Sequence, residues 1–185
     1  PGRVIEAGCG FSSGLMLDTD ERFLGSATRF QFIEPNPTRL RSLLKPEDTG
    51  RLEIIERGVQ EVPVESLIDL EPNDILFVDS SHVSKVGSDV NYLVFEVLPR
   101  LRPGVLVHFH DIYWPFEYPE HWVLEGRSWN EIYLMRGFLQ HNDAFDILLF
   151  NNYLGERHSE LMRETMPKFM VNAGGSLWLQ RKPGT

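Results

Sequence analysis

Apolar residues follow two different spacings along this chain. Runs of four to six mostly apolar residues, typical of strands, alternate with stretches whose apolar residues recur every three or four positions, typical of helices. The second spacing is clearest before Pro103-Gly104, where one helical face carries Val90, Leu93, Val94, Val97, Leu98 and Leu101. The predicted strands are Arg3–Ala7, Arg29–Ile33, Leu52–Ile55, Asp74–Val78, Val105–Phe109, Phe145–Phe150 and Ser176–Gln180. The predicted helices are Ser12–Phe23 (capped by Ser12 or Ser13), Thr38–Leu44, Val64–Leu70, 90–101, Glu131–Leu139 and, with interruptions, Glu156–Met170.

The alternation of strand and helix has the spacing of crossover units. It predicts an α/β fold, a doubly wound and mostly parallel seven-stranded sheet with helices on both faces. In open sheets of this kind ligands bind beyond the carboxyl ends of the strands. The residues that directly follow each strand are therefore the first candidates for function.

Composition narrows the classes of partner. The chain has 185 residues, and 18 Lys and Arg against 27 Asp and Glu give a net charge of −9. Such an acidic chain has no basic footprint for a nucleic acid, and no stretch approaches the roughly 20 apolar residues of a membrane helix. We therefore expect a small-molecule substrate, with a homo-oligomer as an open alternative.

The single cysteine and the first residue bear on the setting of the chain. Cys9 alone excludes an internal disulfide and favours a reduced, cytoplasmic location. The chain opens with Pro1 directly before a strand. We therefore expect one domain over residues 1–185 whose N-terminal part is missing.

Two acidic residues end the first two strands. Glu6 precedes the glycine turn Gly8-Cys9-Gly10, where the backbone can approach a ligand closely before a helix begins. Glu34 directly follows the second strand, a place from which a carboxylate accepts hydrogen bonds from ribose hydroxyls. Glycines at positions 8, 10 and 14 depart from the G-x-G-x-x-G of dinucleotide binders, and Glu6 would repel a pyrophosphate but attract a sulfonium or ammonium group.

The two segments Val4–Gly10 and Phe32–Asn36 resemble motifs I and II of the class I S-adenosylmethionine-dependent methyltransferases, of small-molecule bacterial type. The resemblance extends through the order of elements over nearly the whole chain and implies a last strand inserted antiparallel beside the fifth. It implies S-adenosylmethionine as cofactor, with Glu6 and Gly8 at the methionine end, Gly10 beside the cofactor backbone and Glu34 at the ribose.

Further cofactor contacts follow from the same resemblance. Val59 and Gln60 would lie beside adenine, Asp79 at the rim shared with substrate, and Cys9, Ser13 and Pro35 next to the motif residues. Two positions depart from the family pattern: Ser12 replaces a common third glycine, and no Asp follows the third strand to meet the adenine amino group.

Acidic and histidine residues follow the fourth and fifth strands. Asp79 and His82 come after one, and His108, His110 and Asp111 lie at the end of the other. His82 or His110, with Asp111, could act as a general base, since a histidine titrates near pH 6.5. Alternatively, Asp79, Asp111 and His110 could hold a divalent metal such as Mg²⁺. His108, inside a strand, is more simply structural.

An aromatic segment follows the fifth strand. We predict that residues 112–130, with three of the four tryptophans, form a lid or substrate wall, or else a minor core or an oligomer contact. Within it, Arg127 could pair with a substrate carboxylate, or with Glu125 or Glu131 on the surface.

The leading prediction is methyl transfer from S-adenosylmethionine to an oxygen, less readily a nitrogen, of a small molecule. Three alternatives stay open: an NAD-dependent oxidoreductase, a metal-dependent oxygenase, and a non-catalytic nucleoside-binding domain on the same scaffold.

Overall fold

The computed structural model describes residues 1–183, so the last two residues of the predicted domain lie outside the described part. The strands are β1 (Arg3–Ala7), β2 (Arg29–Ile33), β3 (Leu52–Ile55), β4 (Ile75–Val78), β5 (Leu106–His110), β6 (Phe145–Phe150) and β7 (Ser176–Arg181). They form one sheet in the order β3-β2-β1-β4-β5-β7-β6. The first five pair in parallel, and β7 runs antiparallel between β5 and β6. The predicted fold class is confirmed.

Strand β5 differs from its prediction by one residue at each end. The sequence places its end at Phe109, whereas the ladder continues to His110, which pairs with Ser176 at the start of β7. The antiparallel neighbour therefore makes His110 the last residue of the strand rather than the first residue after it.

The helices are α1 (Phe11–Thr19), α2 (Thr38–Leu43), α3 (Val64–Ile68), α4 (Asp89–Tyr92), α5 (Glu120–Leu124), α6 (Glu131–Leu139), α7 (Asn151–Arg157) and α8 (Ser159–Thr165). The first helix continues into a π-helical turn, Asp20–Leu24, which ends at Gly25. Helix α4 continues in the same way through Leu93–Val97 and Leu98–Arg100, so the predicted helical face over 90–101 is present with mixed geometry. The long C-terminal helix of the prediction is divided at His158 and followed by a 3₁₀ segment, Pro167–Val171.

The predicted cap of the first helix is wrong. Gly10 is the N-cap, and the helix begins at Phe11, before either serine. Both serine hydroxyls are engaged elsewhere, because each donates a hydrogen bond to Glu6.

Alternate residues of the central strands enter two cores on opposite faces of the sheet. In β1, Val4 joins a smaller core with Leu17 and Phe32, whereas Ile5 packs in the larger one with Leu93. Each such fully buried side chain stabilises the fold by roughly 1.5–3 kcal/mol. The sheet is therefore covered on both faces, and its carboxyl edge is left to the loops. No described helix has the length and apolar character needed to cross a membrane.

Candidate functional site

The loop after β1 lies against the end of β4. Gly8 has a left-handed φ of 83°, and a Cβ added to it would lie 1.7 Å from the carbonyl oxygen of Asp79. The Asp79 amide donates to Ala7 (2.9 Å), and the Gly8 amide donates to Ile33 (3.0 Å). Only glycine permits this approach, which brings Asp79 to the glycine turn.

Glu6 stabilises the turn from inside the protein. Its carboxylate is fully buried and accepts hydrogen bonds from the Ser12 and Ser13 hydroxyls, each at 2.5 Å. Ser13 Oγ in turn accepts from the Gly10 amide at 2.9 Å. Burial raises the pKa of Glu6 to about 7, although both hydroxyls favour the ionised form.

This burial shows what holds the Glu6 carboxylate. Each of its oxygens accepts one hydrogen bond from a serine, although a carboxylate oxygen can accept two. The predicted contact of Glu6 with the methionine end of a cofactor stays a prediction.

A cavity of about 300 Å³ lies at the carboxyl ends of β1, β2, β3 and β4, a size suited to a small ligand. It is lined by Ala7, Gly8, Ile33, Glu34, Pro35, Gly58, Val59, Gln60, Asp79, Ser80, Ser81 and Asp89. Six of the predicted cofactor residues are in this set: Gly8, Glu34, Pro35, Val59, Gln60 and Asp79. Glu34 Oε1 accepts a hydrogen bond from the Asn36 amide (2.9 Å), which fixes the carboxylate at the cavity wall.

The other predicted cofactor residues lie outside this cavity. Cys9 lines an open groove that shares Glu34 with it, and burial raises the pKa of the Cys9 thiol to about 12. Gly10 and Ser13, like Glu6, support the turn and do not line either space.

Two imidazoles and two carboxylates meet at the ends of β4 and β5. His82 Nε2 lies 3.5 Å from Asp79 Oδ1 and 3.8 Å from Asp111 Oδ2. His110 Nδ1 lies 3.6 Å from Asp79 Oδ1 and 3.2 Å from Asp111 Oδ1. The structure thus places the predicted catalytic residues in one group, here called the acid–histidine cluster, and Asp79 belongs to both the cluster and the cavity.

The two histidines of the cluster differ in accessibility. The His82 side chain is 6% exposed, and although burial opposes its charge, hydrogen bonds with Asp79 and Glu131 raise its pKa to about 9. His110 is 43% exposed, and its pKa is also raised, chiefly by Asp111. Despite burial, His82 and His110 together hold the pKa of Asp79 below its usual range. His82 is therefore protonated at pH 7, and His110 is the imidazole that an acceptor can reach.

His108 is a structural residue, as expected for a histidine inside a strand. Its ring stacks on Phe77 (3.9 Å between centroids), and its Nε2 lies 2.7 Å from Ser176 Oγ. Burial lowers its pKa to about 3, so the ring is neutral.

The predicted metal set does not fit the cluster. Among residues 1–183, no group of three or more His, Cys, Asp and Glu is arranged to hold a metal ion. His82 lies between Asp79 and Asp111 and supplies the positive charge that a cation would bring there.

The aromatic segment 112–130 packs against the larger core rather than standing free. Trp129 contacts Tyr118, Trp122 and the His82 ring, with centroids 5.8, 5.3 and 4.3 Å apart. Arg127 lies over Trp122 at 4.3 Å and pairs with Glu125 at 3.0 Å. The segment therefore lies directly beside the cluster, and its role as a lid or substrate wall stays a prediction.

Sequence reasoning missed two acidic residues. Glu131, expected on the surface as a partner of Arg127, is 1% exposed and lies 2.8 Å from His82 Nδ1. Asp89 lines the cavity and accepts hydrogen bonds from the amide and hydroxyl of Ser81. The local sequence offered one signal for a buried Glu131: this residue begins a helix two positions after Trp129.

A family model described as a methyltransferase domain matches residues 5–112, more than half of the chain. Among curated protein sequences, none matches significantly.

Several solved structures share the fold at low sequence identity. One is an O-methyltransferase family protein from Burkholderia thailandensis (14% identity, TM-score 0.56, 99% of this chain and 52% of that one). A second, from Streptococcus mutans, is assigned as a methyltransferase and was solved in complex with SAH (13% identity, TM-score 0.52, 98% of this chain and 89% of that one). A third is human N-acetylserotonin methyltransferase in complex with SAM (11% identity, TM-score 0.51, 98% of this chain and 48% of that one).

Proposed function

Because the chain belongs to the methyltransferase-domain family and has the class I S-adenosylmethionine-dependent fold, we propose that it methylates an oxygen of a small organic molecule. The observation that carries this proposal is the position of Asp79. It lines the cavity below the glycine turn and also contacts both histidines of the acid–histidine cluster. A bound cofactor and a proton acceptor would thus be neighbours.

The cavity residues would hold S-adenosylmethionine, which supplies the methyl group. Glu34 would accept hydrogen bonds from the ribose hydroxyls, and Val59 and Gln60 would contact the adenine. The Gly8 turn would leave room for the methionine portion, and Asp79 would attract the sulfonium charge. SAH and SAM in the structural neighbours support the choice of cofactor over NAD.

The cluster would remove the acceptor proton. S-adenosylmethionine would supply the methyl group to the acceptor oxygen and would leave as S-adenosylhomocysteine, and His110 would take the hydroxyl proton. The His110 side chain is 43% exposed and can be reached by an acceptor, whereas His82 is 6% exposed and held by Glu131. Asp111, 3.2 Å from His110 Nδ1, would stabilise the resulting imidazolium. Most of the rate would come from holding the two reactants together.

An oxygen acceptor is favoured over a nitrogen because of this base. A hydroxyl must lose its proton on methylation and benefits from an imidazole, whereas a free amine attacks through its lone pair. The aromatic segment beside the cluster offers an apolar wall for an organic acceptor. The acidic charge of the chain supports a small-molecule substrate rather than a nucleic acid, and its single cysteine supports a cytoplasmic location.

The test is a turnover assay with S-adenosylmethionine and a panel of phenol, catechol, methyl glucoside and a primary aromatic amine. Formation of S-adenosylhomocysteine would be measured with and without Mg²⁺ and with EDTA. We expect turnover with a hydroxyl acceptor, and we expect EDTA to leave this turnover unchanged. Turnover with the amine alone would refute the oxygen assignment, and loss of turnover in EDTA would refute the metal-free cluster.

A further inference from the structure

Glu131 is a buried carboxylate with a specific set of partners. It is the first residue of α6, is 1% exposed, and accepts a hydrogen bond from the Ser80 hydroxyl at 3.1 Å. Its other oxygen lies 2.8 Å from Nδ1 of His82. A carboxylate taken out of water is costly unless it is paired, so this geometry binds Glu131 firmly to the loop after β4.

The bond to Nδ1 decides where the other side of the His82 ring points. With Nδ1 held by Glu131, Nε2 faces Asp79 and Asp111. The ring also packs on Trp129, 4.3 Å away. Rotation of the imidazole would therefore break its contacts with Glu131 and Trp129.

The backbone supports the same arrangement. His82 has a left-handed φ of 58°, and its carbonyl accepts hydrogen bonds from the amides of Asn130 (2.9 Å) and Glu131 (3.1 Å). The Asn130 side chain accepts from the Ser84 amide at 2.6 Å and donates to the Ser84 carbonyl at 3.1 Å. Residues 80–84 and 129–131 are thus joined by both main-chain and side-chain contacts.

We propose that Glu131 is a positioning residue for methyl transfer: it orients His82 toward the two aspartates and ties the aromatic segment to the acid–histidine cluster. Its kinetic consequence rests on the proposed function. Its role is not shared by Glu125, which lies six positions earlier, is exposed and pairs with Arg127.

The kinetic test is a double-mutant cycle on Glu131 and His82, with the most active hydroxyl acceptor of the panel above. Glu131→Ala should lower kcat about 100-fold, because a displaced His82 would no longer hold Asp79 and Asp111 beside His110, and small misplacements of a catalytic group cost about this much. The Kd of S-adenosylhomocysteine should stay within about twofold. The isosteric Glu131→Gln keeps one accepting oxygen and should recover part of the loss, and Glu125→Ala should match the wild type.

The double variant decides whether Glu131 acts through His82. Adding Glu131→Ala to His82→Ala should cause no further loss of kcat, because the residue to be positioned is already absent. If Glu131→Ala does not fold, Glu131→Gln completes the same cycle. An unchanged kcat in the single variants, or an independent further loss in the double variant, would overturn the proposal.

A spectroscopic measurement separates this proposal from the proposed function. In protein labelled with ¹⁵N-histidine, a hydrogen-bonded Nδ1 proton of His82 should be visible, distinct from any signal of His110, and it should disappear in both His82→Ala and Glu131→Ala. This result stands even if none of the acceptors is methylated. Absence of the signal from the folded wild-type protein would refute the positioning role directly.

Discussion

Replacement of Gly8 by alanine tests the close approach that builds the site. The new Cβ would lie 1.7 Å from the Asp79 carbonyl oxygen, whereas ordinary contacts begin near 3.4 Å, so the loop must move by about half of that distance. A left-handed φ costs an alanine about 1–2 kcal/mol. Loss of the Gly8–Ile33 and Asp79–Ala7 hydrogen bonds adds about 1 kcal/mol each. We expect Gly8→Ala to lower the free energy of unfolding by about 3–4 kcal/mol.

Gly25 provides the matched control. Its φ of 71° is also left-handed, but a Cβ there would meet no atom within 4 Å. Gly25→Ala should therefore show the conformational cost alone, about 1–2 kcal/mol. Urea unfolding of both variants and the wild type would measure the difference, which should be about 2 kcal/mol, or several degrees in Tm. Equal losses in the two variants would refute the close contact between Gly8 and Asp79.

Three further predictions address the ligand, the base and the pH dependence. Glu34→Ala should weaken S-adenosylhomocysteine binding about 10- to 100-fold in calorimetry, because hydrogen bonds to a charged acceptor are lost. Replacement of the exposed Glu56 by alanine should leave the affinity unchanged. Equal affinities in Glu34→Ala and the wild type would exclude Glu34 from the ribose site. His110→Ala should lower turnover at least about 100-fold with cofactor affinity within twofold; a fully active variant would remove His110 from the mechanism. Burial lowers the pKa of His108 in the folded protein to about 3, below its value in the unfolded chain. As pH falls from about 6.5 toward 3, the unfolded chain binds a proton at His108 that the folded protein does not, so the folded protein loses stability. Relative to His108→Gln, the wild type should therefore lose about 2 kcal/mol between pH 7 and pH 5 in chemical unfolding, and parallel curves would contradict a neutral buried His108.

The sequence predicted the sheet well because its strands are short, apolar and separated by strong turn signals. Ile5 and Leu76 are fully buried in strands that the apolar runs mark clearly. The one-residue difference in β5 arises from its pairing with β7, since His110 lies opposite Ser176. That partner lies 66 positions away in the chain, so no local pattern could reveal the extension.

The sequence predicted the location of a site residue where that residue directly follows a strand, because its place at the sheet edge is then set by the backbone. Glu34 and Asp79 follow strands directly, and the structure places both at the cavity. Glu6 lies one residue before the end of β1, and its buried carboxylate accepts hydrogen bonds from the Ser12 and Ser13 hydroxyls. Glu131 was expected on the surface because its partner, His82, lies 49 positions earlier, and only the folded aromatic segment brings the two together.

The central claim is that the cavity beside Asp79 and Glu34 binds S-adenosylmethionine. Its most direct test is thermal unfolding with S-adenosylmethionine, S-adenosylhomocysteine or NAD, each in parallel with the Glu34→Ala variant. A ligand at 100 times its Kd stabilises the folded state by about 2.7 kcal/mol, enough to raise Tm by about 5–10 °C. We expect this shift with the two sulfur nucleosides and a smaller one in Glu34→Ala. A shift with NAD alone would contradict the account and indicate a dinucleotide-dependent oxidoreductase.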